Sequence, residues 1–185
     1  MSHPQFYNAF SDNLTKVLLQ QATQEELLAG QLLTTDDFDA KWNQIAPEYM
    51  ADAVPEVLQY PAVAIAWAAY VGMGVAMLWD TEWEKHAYAT DTYTLFRNPR
   101  GFDAMDEYIM DAIMGIAVDS TDFTKVEDFL RNAAHTTMTM IRKENFPPDS
   151  IEAYRIFSDA VTVMFKLGAS MCLYGRGYSY QLEGN

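Results

Sequence analysis

Tyr60-Pro61-Ala62-Val63-Ala64-Ile65-Ala66-Trp67-Ala68-Ala69-Tyr70-Val71-Gly72-Met73-Gly74-Val75-Ala76-Met77-Leu78-Trp79 runs for 20 residues without a charge and stops at Asp80-Thr81-Glu82-Trp83-Glu84-Lys85-His86. A stretch of that length is either a membrane span or a helix buried at the centre of a bundle. Composition decides between them. Six of the 20 are alanine and two are glycine, residues that gain little on entering lipid. The flanks are acidic, Glu56 before the run and Asp80, Glu82 and Glu84 after it, where a span would be anchored by Lys or Arg. The run therefore reads as a central helix with no membrane role. Small residues at 62, 66, 69, 72 and 76 form a stripe along it that lets another backbone approach closely, whether a helix of the same chain or a second subunit.

Outward from this helix, apolar residues recur at helical spacing and no segment alternates with a period of two, so the chain reads as all-α. A first helix carries Phe6, Phe10, Leu14 and Val17. Thr35-Asp36-Asp37 opens a second region, since a hydroxyl satisfies free amides at a helix start and acids suit its positive end. Pro47 and Pro55 are expected to divide that region into short pieces. Asn98-Pro99-Arg100-Gly101 is a turn by residue type and leads into a fourth helix with Phe102, Met105, Ile109, Ile113 and Ile116 on one stripe. Asp119 to Asp122 caps a fifth, with Phe123, Val126, Leu130, Ala133, Thr137 and Ile141. Pro147 and Pro148 end it, and Asp149-Ser150-Ile151-Glu152 has the form of a capping box that launches the last helix, which runs to about Gly175. The expectation is a single-domain bundle of five to six principal helices over residues 1–175, followed by a tail, 176–185, that is flexible or packed on a neighbour.

The 185 residues carry 26 Asp and Glu against 12 Lys and Arg, a net charge of −14. Residues 1–96 hold 13 acids and three bases, so most of the excess lies in that half. Such a surface repels phosphate backbones and anionic lipid, which disfavours nucleic acid and membrane and leaves a basic protein partner or a cation as the electrostatic fit. A single cysteine, Cys172, gives no intramolecular disulfide, and Met1 to Phe6 lacks the basic start and apolar stretch of a signal peptide. A cytoplasmic location is expected.

Candidate chemistry is sparse. Asp80, Glu82, Glu84 and His86 are ligand types for a divalent metal, but at about 100° per residue Asp80 and Glu84 share one face and Glu82 and His86 a nearly opposite one. That leaves Glu82 and His86 as an i, i+4 pair, with His135 on the fifth helix as a third metal or catalytic group and Asp106 as a further acid from a facing helix. Neither Glu-x-x-His nor His-Glu-x-x-His occurs. Arg97 and Arg100 flank the turn before the fourth helix and are the candidate anion-binding pair, unless neighbouring carboxylates such as Asp103 or Asp106 take them. Eleven methionines allow either an adaptable core or a pocket for an apolar ligand. These features rank three functions: a self-associating or protein-binding module, a metal-assisted or acid/base enzyme using Glu82, His86 and His135, and a binder of a small hydrophobic ligand.

Overall fold

The computed structural model describes residues 3–179, in which seven helices and no strand occur. They are α1 (His3–Gln24), α2 (Asp36–Glu56), α3 (Pro61–His86), α4 (Thr92–Arg97), α5 (Met105–Tyr108), α6 (Thr121–Lys143) and α7 (Ile151–Gly175). A π-helical turn, Ile109–Ile113, continues α5. Helix α3 is the axis of the fold. It packs against α7 most extensively and also against α2, α4, α5, the π turn and α6, while α1 lies across α6 and α7. By length and composition both α3 and α7 could cross a bilayer, and the fold instead buries 78% of the apolar window of each inside protein.

The small-residue stripe explains how α3 and α7 come so close. A methyl group on Gly168 would sit 1.8 Å from the Ala69 carbonyl oxygen, and one on Gly72 would sit 2.0 Å from that of Phe165. Only hydrogen fits at either position, so the two backbones touch. The stripe that fitted either a subunit or a helix of the same chain is thus spent within the chain, and it no longer argues for self-association.

Capping follows the sequence in two places and differs in a third. The Thr35 hydroxyl accepts the Phe38 amide, and Ser120, within the segment Asp119 to Asp122, accepts that of Phe123. The α7 cap is Ser150, which accepts the Ala153 amide at 3.1 Å, so the expected box beginning at Asp149 is displaced by one residue. Pro47 and Pro55 do not divide α2, which is one helix of 21 residues. An interior proline costs about 3 kcal/mol through its missing N–H. Burial of Trp42, Ile45, Tyr49 and Met50 on either side of Pro47 offsets that cost, and the Tyr49 hydroxyl ties the segment to α3 by donating to the Ala64 carbonyl. The expected fourth helix is only a short turn of α5 plus the π turn, because Gly115, with φ of 71°, ends it before Ile116.

Candidate functional site

The charged end of α3 carries Asp80, Glu82, Glu84 and His86. Glu82, with φ of −145° and ψ of 36°, leaves the helical region and kinks α3 before its last turn. The pair survives the kink, with His86 Nε2 3.6 Å from Glu82 Oε2. His86 is buried and Glu82 exposed. His135 does not join them: it faces solvent on α6, and among the described residues no three His, Cys, Asp or Glu side chains gather closely enough to hold a metal ion. Asp80 points elsewhere. The Tyr178 hydroxyl and the Arg176 guanidinium both donate to it, and those two bonds hold its carboxyl below the usual range. Tyr178 also meets the Trp79 ring, so the segment after α7 starts out packed on its own α3. Tyr180 to Asn185, the rest of the expected tail, lies outside the described residues.

Lys41 is the functional-looking residue that the sequence reading passed over. It is 2% exposed, and its ammonium donates to the carbonyls of His86 (2.7 Å) and Ala89 (3.1 Å), to Gln44 Oε1 (2.9 Å) and to Thr92 Oγ1 (3.2 Å). Burial lowers its pKa and nearby Asp91 opposes that shift. With its donors occupied by α3, the following loop and α4, it fastens the corner that carries His86, and no face of the amine is left for a substrate.

The two arginines are separated by their acids. Arg97 pairs with Asp52 on α2 at 3.2 Å and lies over the Tyr93 ring. Arg100 pairs with Asp111 at 3.0 Å and lies over Tyr108. The acids are not the Asp103 or Asp106 expected from proximity in sequence, and the guanidinium groups do not converge on a shared anion. Cys172 is buried beside Met114, and burial pushes its thiol up to about 12, far from a nucleophile at neutral pH.

Asp106 is buried at the start of α5, and burial pushes its carboxyl up to about 6; the Glu107 amide opposes the rise, and the charges of Glu107 and Glu127 add to it. The folded protein therefore keeps a proton that the unfolded chain, with an ordinary value of 3.8, has lost. This group's contribution to stability is greatest below about pH 4, falls as pH rises through the window to about 6, and stays low above it. Asp106→Asn is expected to raise stability at about pH 7.5 by on the order of 1–3 kcal/mol and to change it little at about pH 4. Urea unfolding at the two pH values measures this, and an equal effect at both would show that the carboxylate charge is not the cause.

A wide concave feature lies at the opposite end of α3. A cleft of about 750 Å³ opens between the end of α2 and the start of α3 on one side and the end of α6 and the start of α7 on the other. Val57, Ile65, Met138, Ile141, Phe146 and Phe157 are among its walls, with Arg142 and Asp149 as its two charged residues. Its rim is unusual. Leu58, 84% exposed, Tyr154, 52%, and Val54, 40%, line it, and Ile151 and Tyr60, 84% and 61% exposed, adjoin the lining residues Ser150 and Pro61. Three of the nine large apolar residues that the described structure leaves exposed thus line one cleft. Nothing in the sequence marked it, because its walls come from two helix–helix corners distant along the chain. No family model, no curated protein and no solved structure matches the chain.

Proposed function

We propose that this protein is a binding module without catalytic chemistry of its own, and that the cleft between the α2/α3 and α6/α7 corners receives an apolar part of a protein partner. The observation that carries this reading is the rim. A small ligand enclosed in the cleft would leave much of Leu58, 84% exposed, wet, whereas a protein surface laid over it covers cleft and rim together. The net charge of −14 makes a basic surface around that apolar part a good electrostatic fit. The single buried thiol suits a reducing cytoplasm.

Binding of the apolar dye bis-ANS tests the cleft directly. Saturable binding is expected, weakened at least about tenfold in Leu58→Glu/Tyr154→Glu, with the thermal midpoint unchanged because both positions are exposed surface. Absence of binding, or binding indifferent to the double substitution, would sink the reading. The cleft volume lies within the ~300–1,000 Å³ typical of ligand pockets, which favours a small hydrophobic ligand as the second reading. Native mass spectrometry separates the two: a retained mass of a few hundred daltons points to the small ligand.

A further inference from the structure

We infer that residues 102–114 form a pH-sensitive latch on α3, seated when Asp106 is neutral and loosened when it is charged, with Gly101 and Gly115 as its hinges. The device is independent of the cleft. Both glycines lie in the left-handed region, with φ of 80° and 71°, and at neither would an added methyl group meet another group within 4 Å, so the chain is free to turn there. Between them lie α5 and the π turn.

Neither element holds itself. Helix α5 is four residues long, and the turn after it closes through the wide ring from the Met114 amide to the Ile109 carbonyl, 2.8 Å, a geometry rare beyond a single turn. The segment is kept in place by what it buries. Met105, Ile109 and Met110 are each 0% exposed, on elements that pack against α3, and the Phe102 carbonyl accepts Trp67 Nε1 of α3 at 2.7 Å. The ion pair of Arg100 with Asp111 is more than a third exposed on both sides and adds little.

Asp106 is the weak point of that seat. It is 9% exposed, and among the described residues no Lys, Arg or His pairs with it. The charges acting on it are acids, Glu107 beside it on α5 and Glu127 on α6. On the α3 side stands Tyr70, whose hydroxyl is raised first by burial and further by the charges of Asp106 and Glu127, while Arg131 opposes. Three bases of the flanking segments are engaged elsewhere: Arg131 with Glu127 and Asp128, Arg97 of α4 with Asp52, and Arg100 with Asp111. A neutral carboxyl fits this surrounding, whereas a charged one is buried near two acids without a counter-ion. Burial pushes the carboxyl up to about 6 in the seated segment, and opening to water returns it to the ordinary 3.8. Seating is therefore strongest below about pH 4, weakens as pH rises to about 6 and stays weak above it.

Native-state amide hydrogen exchange at about pH 4.5 and 7.5, corrected for the intrinsic rate, tests the latch. Amides of residues 105–114 are expected to be less protected than those of α7 and to keep their protection in about 1 M urea, because a local opening exposes little surface. Their protection is expected to fall at least about tenfold from the lower pH to the higher, and by no more than about threefold in Asp106→Asn. Asp103→Asn, which removes an exposed acid of the same segment, is expected to keep the full fall. Equal protection at both pH values, a full fall that persists in Asp106→Asn or vanishes in Asp103→Asn, or a urea sensitivity equal to that of α7 would overturn the inference.

Discussion

Gly168→Ala is expected to unfold the protein at ordinary temperature or to cost at least about 3 kcal/mol, the largest effect of any single methyl group added to the chain. The new carbon would lie 1.8 Å from the Ala69 carbonyl oxygen and 2.5 and 2.7 Å from the carbonyl carbon and Cα of the same residue. All three are backbone atoms of α3, so no rotamer change relieves the overlap and the two helices must separate by an ångström or more. Separation opens the most extensive interface in the fold and leaves voids along it. Alanine's better helix propensity returns only about 1 kcal/mol. Gly72→Ala meets the Phe165 carbonyl in the same way. Gly74→Ala, whose new methyl meets the buried Phe96 ring at 2.8 Å, is expected to cost less because a side chain can shift. Gly175→Ala meets nothing within 4 Å and is expected to be neutral or slightly stabilising. Denaturant unfolding of the four variants checks the order. If Gly168→Ala matched Gly175→Ala, the backbone contact would be refuted.

That series also shows how far residue type alone leads. Small residues at 69 and 72 announced a close approach, and α7, which supplies Gly168, was legible from its apolar spacing. Which backbone the stripe would meet was not, since small residues fit a helix of the same chain and a second subunit equally well. Pro47 shows the opposite limit. Local propensity argued for a break, and buried side chains on both sides of it carried the helix through. At the end of α3 the helical wheel correctly joined Glu82 to His86, yet it could not place His135, whose orientation depends on which face of α6 is buried. The cleft was beyond any local pattern. It exists because two helix–helix corners converge, and its rim residues are unremarkable one by one. Lys41 did leave a signal that went unread. It falls among Phe38, Trp42, Ile45 and Tyr49 on the buried face of α2, where a charge is out of place unless a partner waits for it.

Lys41→Met is expected to destabilise the protein by about 3 kcal/mol, the second large effect predicted for this fold. Methionine fills nearly the same volume, so packing is preserved and the loss isolates the ammonium. The His86 and Ala89 carbonyls lose their charged donor, and His86 closes the last turn of α3, where a cation also meets the negative end of the helix dipole. Gln44 Oε1 and Thr92 Oγ1 lose the same donor, and Thr92 is 1% exposed, leaving little access for water to replace it. Lys41→Arg is not expected to rescue, because a planar guanidinium does not fit four acceptors arranged around a point. Fastening of the corner predicts a local signature besides the global one. Amide hydrogen exchange from Ala87 to Tyr93 should quicken in Lys41→Met more than in α6 or α7, because α4 is held to α2 and α3 at this corner. Equal acceleration throughout would mean that the lysine contributes only to overall stability. An unchanged denaturation midpoint would mean that burial of the charge costs as much as the three hydrogens shared among its four acceptors return.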